Sequence, residues 1–221
     1  PIRFVDANEQ LIYAQPADSL TEDIPMPFQK LLIGHNTYGK RKRLISESKD
    51  FSKSNYLPLA AIHSILQKLV FMEYQPKSSR YNISKNDWEF LVKHLGMYPR
   101  VSTFPNYDSK VYYDSFKKYF IYGSATTTIE SDSIRIFNIV GRAYGFLIDC
   151  AYIVDFDKKT EFMLSAVVYT NKRNSFGSGN YEYDTVGLPF LKELSLALQD
   201  VESKRKRKFL PDLSFVDFYK K

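Results

Sequence analysis

Hydrophobic and polar positions separate most sharply between Ile134 and Thr170. A β-branched and aromatic run over 134–140 stops at Gly141, a second covers 149–156 and a third covers 161–170. Such runs, bounded by polar turns, predict strands. Asp157, Lys158, Lys159 and Thr160 join the last two as an antiparallel hairpin, because so short a polar link cannot make a parallel crossover. In the third run Phe162, Leu164 and Ala166 share one face and Met163, Ser165 and Val167 the other. Both faces are largely apolar, which predicts a sheet covered on both sides.

The period changes upstream. Over 57–72, Leu59, Ile62, Ile65, Leu66, Leu69 and Val70 recur at three and four, which predicts a helix with Pro58 in its first turn. A second helix is expected over 84–96, where Ser84 caps, Asp87 completes a capping box and Gly96 ends it. Trp88, Leu91 and Leu95 form its apolar face. A third is expected over 108–122, with Tyr112, Phe116, Tyr119 and Phe120 on one stripe. A closing helix over 189–202 starts with Pro189 and buries Leu191, Leu194, Leu198 and Val201. Residues 1–30 read as an extended arm, with Ile2, Phe4 and Val5 opening a short strand and Pro25 and Pro27 forbidding regular structure. Loops are expected over 31–53, 98–108 and 171–184, and a Ser- and Thr-rich linker over 124–133. The fold class is therefore α+β (mixed α/β), an antiparallel sheet flanked by helices. It divides into an arm plus a mainly helical region over 1–130, and strands with a C-terminal helix over 131–221.

Composition narrows the chemistry. The 221 residues are 44% hydrophobic and 16% aromatic, enough for one sizeable core. The net charge of +6 suits acidic partners without identifying one. The basic clusters 40–43 and 204–208 read as solvated surface, the latter at a helix C-terminus where cations are favoured. Cys150 is the single cysteine, in an apolar strand, so it reads as a buried, inert thiol. His35, His63 and His94 have no partner at ligand spacing, so no metal and no cofactor are expected. No apolar run reaches the roughly 18 residues a membrane span needs. The chain opens at Pro1 without a Met, and the expectation is that a leader or larger N-terminal portion precedes it.

A strand ending in Gly, a short Gly-containing link, a hairpin and then a helix resembles the C-terminal part of the serine β-lactamase and penicillin-binding fold. FNIVGRAYGFLIDCAYIVDF, EFMLSAVVY, YEYDTVGLPF and the upstream YYDSFKKYFIYG resemble β-lactamase-related serine hydrolases over residues 98–205. The resemblance implies acyl transfer by a serine in a Ser-x-x-Lys motif, a Ser-x-Asn or Tyr-x-Asn motif, and a Lys-Thr/Ser-Gly strand beside the substrate. It also implies export to the periplasm and a peptide or cell-wall-like partner. Only the third motif is placed, on Ile139, Val140 and Gly141. Gly141 matches, while Ile139 replaces the lysine and Val140 the hydroxyl residue. Arg142 or Arg135 are the cations near enough in sequence to replace that charge. The backbone N–H of Arg142 falls at the family's oxyanion donor. Val140, Gly141 and Arg142 are thus the expected substrate-binding residues.

The catalytic serine is not placed. Ser46-Glu-Ser-Lys49 matches Ser-x-x-Lys as a string but starts no apolar helix, and Ser52-Lys-Ser-Asn55 is an equally poor second motif. The nucleophile is expected before Pro1, in an incomplete domain. Three functions follow: a serine-hydrolase relative, a catalytically inactive module keeping the cleft for a peptide or wall fragment, and, least favoured, a basic aromatic binder of nucleic acid or polysaccharide.

Overall fold

The computed structural model describes residues 2–6, 8–17, 31–54 and 57–219. Its centre is a three-stranded antiparallel meander in sequence order. The strands are β7 (Ile134–Ala143), β8 (Phe146–Asp155) and β9 (Thr160–Tyr169). The fold class is the expected one, α+β. The first strand does not stop at Gly141, because Gly141 pairs with Ile148 and the ladder runs on to Ala143 opposite Phe146. The reversal is the two-residue turn Tyr144–Gly145, with φ of 54° and 88°. Both values are positive, as a tight hairpin turn of this hand requires. A Cβ on Gly145 would lie 2.7 Å from the Cβ of Asn171. The second turn holds 156–159, and Thr160 already belongs to β9.

Both faces of the meander are covered. On one face Phe137, Ile139, Cys150, Tyr152, Val154 and Met163 pack against α1 (Leu59–Val70), α2 (Lys85–Gly96) and the segment around Leu213–Tyr219. On the other, Ile136, Leu147, Ala151, Ile153, Phe162 and Leu164 meet α3 (Tyr119–Tyr122) and α4 (Leu188–Lys204). Burying side chains of that size from two sides contributes roughly 1.5–3 kcal/mol apiece before the cost of ordering the chain. The capping box forms as expected: Ser84 Oγ accepts from Asp87 N–H at 3.1 Å and Asp87 Oδ2 from Ser84 N–H at 3.1 Å. Pro58 precedes α1 as its cap residue rather than entering the first turn. Trp88 Nε1–H ties α2 to α1 through Leu69 O at 2.7 Å.

The helix expected over 108–122 is absent apart from the irregular turn α3. Lys117 and Ile121 have φ of 61° and 69°, which break a right-handed helix. Side-chain bonds to distant backbone take the helix's place. Asp114 accepts from Ile129 N–H at 2.8 Å, Ser115 Oγ accepts from Thr127 N–H at 3.3 Å, and Asp149 accepts from Phe120 N–H at 3.1 Å. The aromatic stripe is real but serves an irregular segment packed on the sheet.

The N-terminal part is less loop-like than expected. β1 (Ile2–Val5) and β2 (Leu11–Gln15) form an antiparallel hairpin with every residue exposed. Pro25 and Pro27 lie outside the described residues. Within 31–53, β3 (Leu32–Ile33) pairs with β6 (Lys49–Asp50). β4 (Asn36–Tyr38) lies between β5 (Leu44–Ile45) and β10 (Ser175–Phe176), so the loop over 171–184 holds a short parallel strand. Among the described residues no helix is long and apolar enough to cross a membrane.

Candidate functional site: the open edge of the meander

Among the described residues β7 is an edge strand, paired only with β8. Phe156 N–H donates to Ser133 O at 2.7 Å just beyond the paired strands, which sets the parity. Odd-numbered residues of β7 exchange bonds with β8, and even-numbered ones turn their backbone groups to the open edge. Two contacts agree: Tyr98 Oη–H donates to Ile134 O at 3.1 Å, and Lys118 Nζ donates to Ile136 O at 2.8 Å. The next outward groups are those of Asn138, Val140 and Arg142. Among the described residues, no hydrogen-bond partner meets the N–H of Val140 or Arg142.

The polar groups at this edge form one network. Lys118, fully buried, donates to Leu95 O (2.8 Å), Ile136 O (2.8 Å) and Asn138 Oδ1 (2.7 Å), so all three ammonium protons are used. Asn138 Nδ2 in turn donates to Lys117 O at 2.9 Å and Asp149 Oδ1 at 3.0 Å. Burial pulls the Lys118 amine down to about 7. It pushes the Asp149 carboxyl up to about 7, against the hydrogen bonds from Asn138 and Phe120. Each charge holds the other partly back toward its ordinary range. The network fastens the irregular segment over 112–122 to the edge strand. A cavity of about 390 Å³ lies alongside, with Asn138, Val140, Lys117, Lys118, Leu91 and Met97 in its wall.

Of the three expected binding residues, Val140 faces this cavity. Gly141 and Arg142 lie farther along the strand and are not in its wall. A Cβ at Gly141 would meet only Ile148, at 3.8 Å, so the position has room. The Arg142 guanidinium lies 4.3 Å over the Tyr183 ring and 3.7 Å from Asp184. Arg135 is on the opposite face, seven positions back, roughly 20 Å away at strand spacing, so the two arginines do not converge. Ile139 packs into the core beneath α1 and α2. Ser46 and Lys49 fall on the turn after β5 and on β6, not at a helix start.

One hydroxyl does meet a histidine. His63 Nδ1 lies 2.7 Å from Ser165 Oγ, which donates to Cys150 Sγ at 3.0 Å. The row lies between α1 and the sheet, outside the wall of the 390 Å³ cavity, and leaves Ser165 tied on both sides. It is a cross-tie. Burial pushes the Cys150 thiol up, away from thiolate chemistry. No three His, Cys, Asp or Glu gather as metal ligands among the described residues. In the basic tail, Lys204 pairs with Asp200 (2.7 Å), while Arg205 (2.6 Å) and Arg207 (2.7 Å) share Glu202.

A second group lies at the other end of β7. Arg135 is 1% exposed, clasped between the Tyr98 and Tyr219 rings with its guanidinium carbon 4.0 Å from each centroid. The pattern of the chain contains a signal for both clusters, polar residues inside otherwise apolar runs: Arg135 and Asn138 in the first, Asp149 in the second. Of their partners, Lys118 lies in a segment whose aromatic spacing fits a helix that does not form, and Tyr98 and Tyr219 lie in segments with no readable period.

No family model, no curated protein and no solved structure matches this chain.

Proposed function

We propose that the chain carries the substrate-binding edge of a serine-hydrolase-related domain of the β-lactamase and penicillin-binding kind. Its β7 receives an extended peptidoglycan-type peptide or a β-lactam along 138–142. The observation that supports this reading is the unpartnered backbone of Val140 and Arg142 on an edge strand beside a cavity. Such an edge accepts one more strand through main-chain bonds. The Arg142 N–H is the donor for a developing oxyanion, a role independent of its side chain. Its half-exposed guanidinium is the cation at that end for a ligand carboxylate. Acyl transfer in this reading uses a serine that the described residues do not bring to this edge, in an exported protein that faces the cell wall.

One observation favours a second reading, an inactive binding module of the same kind. Where the family's strand carries its lysine, Ile139 is packed into the core. An isoleucine there neither holds a carboxylate nor assists proton transfer.

The test is to incubate this chain, and any longer product of its gene, with a fluorescent penicillin and weigh the intact proteins. Acyl transfer predicts a stoichiometric adduct on the longer form alone. Saturable binding without an adduct on either form selects the inactive module. An adduct on this chain would move the nucleophile to a serine such as Ser46 and overturn the account of the edge. Neither adduct nor binding would sink both readings.

A further inference from the structure

The group around Arg135 lies at the opposite end of β7 from the outward N–H groups of Val140 and Arg142. Arg135 enters from β7 on the face covered by α2 and is almost wholly buried. Tyr98 and Tyr219 cover its two flat faces. Their phenols are spent elsewhere, on Ile134 O and Lys93 O, and burial pushes both well above the usual phenol range. The rim of the guanidinium is what remains, and it is incompletely used. One terminal nitrogen donates to Asp132, the other reaches Gly96 O at a long 3.4 Å, and Nε–H, though buried, has no partner. A buried donor without an acceptor is destabilising, more so on a charged group. A further acceptor in the cavity would satisfy it.

Arg135 stands in the wall of a cavity of about 560 Å³, within the usual range of small-molecule sites. Its other charged members are Lys93, Arg100 and Asp132. Arg100 is already held by Asp114 and Ile129 O. Asp132 is about half exposed, so the one carboxylate on Arg135 sits at the solvent side. Val101, Phe104 and Phe218 supply an apolar flank.

We propose that this cavity binds a small organic anion, a carboxylate or phosphate monoester attached to a flat apolar group. The oxyanion meets the rim of Arg135, whose fork geometry matches both anions. The apolar part lies against Val101 and Phe104. Asp132 is the built-in competitor, an internal carboxylate holding the position until a ligand takes its share of the guanidinium.

The probes are benzoate, phenyl phosphate and neutral benzyl alcohol, titrated into the full chain while the Arg135 Nε–H resonance is followed by NMR. Saturable shifts with benzoate or phenyl phosphate, but not with benzyl alcohol, are expected, and the tighter of the two identifies the anion class. Asp132→Asn removes the competitor and is expected to tighten the anion severalfold. Arg135→Lys keeps the charge, loses the fork and is expected to weaken it about tenfold. Equal binding of benzyl alcohol overturns the proposal, as does no response to any anion by the folded protein. Unchanged or weaker binding in Asp132→Asn does so too, and that variant stands even if Arg135→Lys fails to fold.

Discussion

Asp149 carries the clearest consequence at the level of single residues. Its carboxyl is buried on β8 and pushed up to about 7 from the ordinary 3.8 by that burial. A folded-state value raised above the unfolded one means that the native chain holds this proton more tightly. The group's contribution to stability is therefore full below about pH 4 and is lost progressively as pH rises toward 7. Asp149→Asn cannot ionise. In urea unfolding at pH 4, 5.5 and 7, the stability advantage of the native chain over this variant is expected to shrink with rising pH. A constant or growing advantage would contradict the burial argument. An acid in an otherwise apolar strand was visible in the sequence. Its meaning was not, because Lys118 and Asn138 reach it from 31 and 11 positions away, and no local period encodes that meeting.

At the level of elements, legibility followed local physics. The capping box over Ser84 and Asp87 and the 3.6-residue stripe of α1 are set by neighbours in sequence, and both formed. Ser84→Ala removes the cap oxygen and is expected to cost about 1 kcal/mol in thermal or chemical unfolding. No measurable cost would mean that the start of α2 is held by packing alone. The segment over 108–122 shows the opposite case. Its aromatic spacing fits a helix, yet Asp114, Ser115 and Asp149 bind backbone far away in sequence, and those long-range bonds prevail over propensity. Gly141 read as a stop because glycine often ends strands. In the sheet it is an interior residue, and the reversal falls to Tyr144 and Gly145.

At the level of the whole molecule, the meander divides the core into two apolar clusters and leaves two long strand edges, those of β7 and β9, without a further strand among the described residues. The sequence announced the strands, their antiparallel order and their two apolar faces. It did not announce how much of the β7 edge stays open, because that depends on where the segment over 112–122 lies. The Lys118 network closes the edge at Ile136 and stops there, so the unpartnered groups begin where the resemblance puts its substrate strand. The proposed ligand edge thus rests on two separate lines, a backbone parity set by hydrogen bonds and a residue pattern in β7.

The direct measurement is an amide titration by NMR with a soluble peptidoglycan-type peptide ending in a free carboxylate. The account predicts that the Val140 and Arg142 amides shift most and gain protection from exchange, as outward N–H groups do when a strand is added beside them. The Gly141 amide, already bonded to β8, should change least of the three. Saturable binding that leaves Val140 and Arg142 unmoved, while shifting residues elsewhere, would contradict it.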